Sequence, residues 1–135
     1  MAIYALAKFA AYCLWCFLGL YLLSPTRTSP WNAVKYGALR WLLGLLFGVV
    51  AAVALGSISS ESVTALYFGV YAPLRILEWG IIAALIHRSS SMQRSVFTSV
   101  RAWSWVLGGI VVSFATDFAS PEGMAGRFCV GRCLC

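Results

Sequence analysis

Arg75 and Glu78 stand inside an otherwise apolar stretch, Ser62 to Arg88, and are the residues of this sequence best placed to do chemistry. On a helix, residues three apart occupy neighbouring parts of one face, where a guanidinium and a carboxylate can meet. The run from Val63 to Ile86 is long enough to cross a hydrocarbon core of roughly 30 Å at ~1.5 Å per residue, which sets Arg75 ~18 Å along it. An unpaired charge at that depth costs several kcal/mol or more. Thr64, Tyr67 and Tyr71 fall within about 80° of Arg75 at ~100° per residue and give the same face a polar strip. Pro73 has no N–H for the carbonyl of Gly69, so a kink and a freed acceptor are expected there.

Two roles are open to this pair. Intramembrane ionisable groups mark ion and proton pathways, which would make Glu78 a proton carrier and Arg75 an anion clamp. Alternatively the two charges neutralise each other inside a bundle, or meet a polar group of a partner subunit. His87 and Arg88 close the same run, where positive charge complements the helix dipole.

The cysteines form a second constellation. Cys13 and Cys16 lie in an apolar run and read as small packing residues, without the exposed electropositive setting of a reactive thiol. Cys129, Cys133 and Cys135 lie in FCVGRCLC. An extracytoplasmic setting would favour a disulfide from Cys129 to Cys133 or Cys135, with one thiol left over. That spacing matches no zinc pattern, and no metal or cofactor is expected. The sequence carries no phosphate loop, no H-E-x-x-H and no Ser/His/Asp set, so no catalytic residue is assigned.

The elements that must position these residues are membrane helices. Hydrophobic residues make up 61% of the chain and charged residues only 10%, far below the ~25% of soluble domains. The net charge of +6 sits at the ends of apolar runs, not on a polar face, which argues against a nucleic-acid partner. The fold class expected is an all-α bundle of transmembrane helices over residues 3–23, 34–56, 63–86 and 96–118, paired as antiparallel hairpins, with 119–135 a short tail. The first run ends in LYLLSPTRTSP, with no small-residue cleavage site, and is read as a retained helix. Lys8 is expected to extend toward the nearer interface. Ser24 to Asn32 reads as a turn. Gly44, Gly48, Ala52 and Gly56 recur every fourth residue and would let another helix approach closely.

Arg27, Lys35, Arg40, Arg88, Arg94 and Arg101 fall on the side of the first and third links, whereas the second link, GSISSE, has no Lys or Arg. The positive-inside rule therefore places those basic links in the cytoplasm and both termini outside it, against the weaker pull of Lys8, Arg127 and Arg132. Trp31, Trp41, Trp103 and Trp105 would anchor the cytoplasmic boundary, and Asp117, Glu61 and Glu122 would form a solvated outer rim. A shift of 64 residues superposes Trp15 on Trp79 and Trp41-Leu42-Leu43-Gly44 on Trp105-Val106-Leu107-Gly108, a hint of two related hairpins. With membrane lipids as surroundings, the leading expectation is a non-catalytic structural or accessory subunit of a larger membrane complex, alongside other subunits or copies of itself. A small proton-coupled or anion transporter using Arg75 and Glu78 is the alternative, for which Glu78→Gln should abolish transport. A membrane enzyme acting on a lipid or thiol substrate comes third.

Overall fold

The computed structural model of the chain describes residues 2–55, 63–88 and 99–119 and is all-α. Its helices are α1 (Ala2–Leu23), α2 (Pro30–Leu55), α3 (Val63–Arg88) and α4 (Val100–Phe118). Three of them contain segments long and apolar enough to cross a membrane, namely Ile3–Leu23, Pro30–Ala51 and Phe68–Arg88. Consecutive helices run antiparallel, and α4 closes the bundle antiparallel to α1: Tyr4 near the start of α1 donates to the carbonyl of Thr116 near the end of α4, while Trp15 and Trp105 meet farther down.

The first link is tighter than the Pro and hydroxyl content of Ser24 to Asn32 suggests. A single 3-10 turn over Pro25–Arg27 and two further residues lead into α2, which starts at Pro30 and not at Val34. Proline suits a first helical position because its fixed φ is already helical and its missing N–H would have had no partner there. The carbonyl of Ser29 accepts from the Ala33 amide, and Asn32 Nδ2 donates to the carbonyl of Arg27, tying the turn to the helix. At α4, Ser99 caps the helix by accepting from the Ala102 amide, so the described helix begins at Val100 and the expected residues 96–98 lie outside the described set.

The core has two tiers. Toward the α1–α2 turn it is apolar: Cys16, Leu20, Ala33, Ile82, Ala83, Ile86, Trp105 and Val106 are buried together. Large rings fit because glycines face them. Gly109 lies against Trp79 and Gly108 against Trp15, and a Cβ on Gly37 would stand only 3.0 Å from the Cα of Cys13. Trp15 and Trp105 each donate an indole N–H to the other's carbonyl, at 3.1 and 3.0 Å, clamping α1 to α4. Trp105 is therefore a core residue, not an interfacial anchor, while Trp31 is exposed and Trp103 partly so. The other tier, toward the start of α1 and the end of α4, is charged.

Candidate functional site

The charged tier is built from one or two side chains of every helix. Glu78 on α3 is its centre: its Oε2 lies 2.6 Å from Arg40 Nη2 of α2 and 3.4 Å from Arg75 Nη1 on its own helix. Arg75 then reaches with Nη2 to Asp117 Oδ2 of α4 at 2.7 Å, and the other oxygen of Asp117 pairs with Lys8 of α1. The order is Lys8, Asp117, Arg75, Glu78, Arg40, with signs alternating along the row. Side-chain exposure falls along it from 12% at Lys8 and 9% at Asp117 through 8% and 3% to 0% at Arg40.

Neutral groups complete the cluster. Ser113 Oγ, one turn before Asp117, accepts from Arg40 Nη2 at 3.2 Å and from Trp79 Nε1 at 3.0 Å, linking α2, α3 and α4 through one hydroxyl. The Arg40 guanidinium packs against two rings, 4.8 Å from the Tyr12 centroid and 5.0 Å from that of Trp79, distances at which the ring quadrupole attracts a cation. Tyr12 and Trp79 meet edge to face at 5.8 Å. The Tyr71 ring lies 5.8 Å from the Arg75 guanidinium carbon.

Several expected placements are corrected. Arg40 is not a boundary cation but a fully buried one. The four extra residues at the start of α2 account for the difference: from Val34, Arg40 would lie ~9 Å inward and within reach of an interface, whereas from Pro30 it lies ~15 Å inward. Asp117 is 8% exposed and doubly paired, not part of a solvated rim, and Lys8 turns to it instead of the interface. Packing against α3 and α1 draws both inward, because a charge facing a bundle is stabilised by an opposite charge on the next helix.

Pro73 is exposed, and α3 runs continuously through it. Gly48 is buried and Gly44 lies beside Arg40, so at Gly44 the missing side chain admits a guanidinium where a close helix backbone was expected. Ala52, Thr64 and Tyr67 belong to α2 and α3, but their side chains, like Gly56, Glu61, Glu122, Cys129, Cys133 and Cys135, lie outside the described residues. Cys13 and Cys16 are free thiols. Among the described residues no group of His, Cys, Asp and Glu is arranged to hold a metal. The residues matched by the 64-residue shift are used differently, since Gly44 faces Arg40 and Gly108 faces Trp15.

No protein-family model matches the chain, and neither a curated protein nor a solved structure matches it. The functional reading therefore rests on the cluster itself. Its arrangement braces four helices and buries charge, and no nucleophile with an adjacent base is among its members.

Proposed function

We propose that this chain is a four-span integral membrane protein acting as a non-catalytic structural or accessory subunit of a larger membrane complex. The observation that supports this reading is the inversion of polarity across the bundle: charge is turned inward, and the outer faces are apolar. On α2 the exposed residues Leu42, Leu46, Val49, Val50 and Val53 follow one another at helical spacing, a face suited to lipid or to a helix of another subunit. The 19 residues of α4 rise ~28 Å, close to the hydrocarbon thickness of roughly 30 Å, and Asp117 near its end is paired, which supports α4 as a fourth crossing beside the three helices that are long and apolar enough.

Removing Lys8 and Arg40 from the charge count leaves Arg27, Lys35, Arg88, Arg94 and Arg101 on the side of the first and third links against Arg127 and Arg132 at the other. The termini then lie outside the cytoplasm. Native mass spectrometry of the protein extracted from its own membrane tests the subunit reading. The expected result is a stable complex with other polypeptides. The chain alone, or only with itself and lipid, would remove it.

A second reading, a small transporter of anions, is favoured by the cations of the cluster: among the described residues Lys8, Arg40 and Arg75 stand with Glu78 and Asp117. Reconstituted protein should then carry radiolabelled anion into liposomes. Flux no greater than in protein-free liposomes would end that reading.

A further inference from the structure

One residue on the inner face of α2 breaks the pattern of its neighbours. Ala33, Gly37, Arg40, Gly44, Gly48 and Ala51 recur at helical spacing as a single stripe, and all are buried except Gly44, which is half-buried. The exposed residues Leu42, Leu46, Val49, Val50 and Val53 occupy the opposite side of the helix. The open surface of Gly44 therefore faces the interior of the bundle and not its surroundings.

What borders that opening is polar. Among the described residues, and leaving aside Leu43, Leu45 and the adjoining backbone of α2, a Cβ built on Gly44 would meet Arg40 Nη1 at 3.1 Å, Glu78 Oε1 at 3.9 Å and nothing else within 4 Å. Neither atom is committed. Arg40 bonds to Glu78 and Ser113 through Nη2, while Nη1 is buried without a hydrogen-bond partner. Glu78 receives both of its arginines on Oε2, and among the described residues Oε1 has no donor. A buried guanidinium N–H without an acceptor carries its full desolvation cost.

Together the two atoms select the ligand. An anion at Nη1 would be repelled by Oε1, and a cation at Oε1 by the guanidinium, whereas a neutral group that both accepts and donates is held by both. The opening exists because glycine carries no side chain, so it suits the smallest such group, and a water needs only two or more polar partners to stay. We propose that Gly44 opens a site for one internal water, which accepts from Arg40 Nη1 and donates to Glu78 Oε1. The water adds a second bridge between α2 and α3 beside the direct Nη2–Oε2 pair and fixes the guanidinium plane against the carboxylate. The site stands on the geometry of Arg40, Gly44 and Glu78, and is independent of whether the chain serves as a subunit or a transporter.

Water-to-protein Overhauser spectroscopy on the purified full chain, carbon-13 labelled and held in detergent micelles, tests occupancy. A cross-peak from the water resonance to the Gly44 α-protons is expected, and none to those of Gly37, which lies on the same stripe but packs against Cys13. Absence of the cross-peak at Gly44, or equal cross-peaks at both glycines, would overturn the proposal. Two variants then test the partners. Gly44→Ala and Gly44→Ser set the same Cβ beside Nη1, so its crowding cancels between them, but serine brings a hydroxyl able to accept from Nη1 and donate to Oε1 in place of the water. Alanine is the better helix former, yet the serine variant should have the smaller unfolding constant in SDS, by about tenfold, the scale of one hydrogen bond to a charged group. An alanine variant as stable as the serine one would mean that Nη1 and Oε1 share no ligand, and would overturn the proposal equally.

Discussion

At the scale of single residues, the cluster converts small changes into large ones because its members share partners. Glu78 accepts from two arginines, so Glu78→Gln removes the carboxylate that pairs with buried Arg40 and one of those that pair with Arg75. The expected loss of stability is about 3–5 kcal/mol, the usual cost of removing one partner from a buried ion pair. Unfolding in mixed micelles with increasing SDS measures it. Any loss of activity in that variant has to be set against this loss of fold. Ser113 is the less conspicuous member, yet its hydroxyl accepts from both Arg40 and Trp79. Ser113→Ala orphans a buried indole N–H and weakens a guanidinium contact, and should cost about 1–3 kcal/mol in the same assay. The Arg75–Glu78 contact was legible in the sequence because three-residue spacing on one helix fixes proximity. Their closer partners, Arg40 and Asp117, were not legible, since contact between helices depends on rotations that spacing does not encode. The one available signal was depth: Arg40, counted from a helix start at Pro30, lies too far inward to reach an interface.

At the scale of elements, glycine and tryptophan divide the work of bringing helices together. A small-residue stripe read from four-residue spacing gave Gly44 and Gly48 as contact points, but the close approaches of rings to backbone occur at Gly19, Gly108 and Gly109, and that of backbone to backbone at Gly37. The stripe identified small residues correctly and could not say what would fill the space above each one. Gly109→Ala would set a methyl carbon 2.6 Å from the Trp79 ring, whose indole is held by Ser113 and so has little freedom to move. Overpacking of this kind should cost about 1–3 kcal/mol. Gly80→Ala, where nothing lies within 4 Å of the added methyl group, should be neutral or stabilise by up to about 1 kcal/mol. Comparing the two in one detergent separates crowding from the helix preference common to both; equal effects would mean that the Trp79 ring is free to yield.

At the scale of the whole molecule, the four helices were legible as apolar runs, because apolar length is a property of sequence alone, while the division of the core into an apolar and a charged tier emerged only from packing. That division bears on orientation. Lys8 and Arg40 lie on opposite sides of the simple charge count, and both are spent inside the bundle, so neither is available to hold a loop in the cytoplasm. On the proposed topology the remaining charges, with Arg27 and Lys35 in and near the first link and Arg101 at the start of α4, would put that end of the bundle in the cytoplasm. A reporter that matures only in the cytoplasm should therefore be active when inserted in the first link after Thr26, an exposed position, and inactive when fused at the C-terminus. Arg27→Glu combined with Lys35→Glu should weaken this bias, because both are exposed and remain outside the ion-pair cluster. Lys8→Met should leave orientation unchanged and lower stability, since its charge pairs with Asp117. If Lys8→Met instead altered the orientation, the charge would be acting on insertion before the bundle forms, and its pairing in the folded chain would be a consequence of topology and not its substitute.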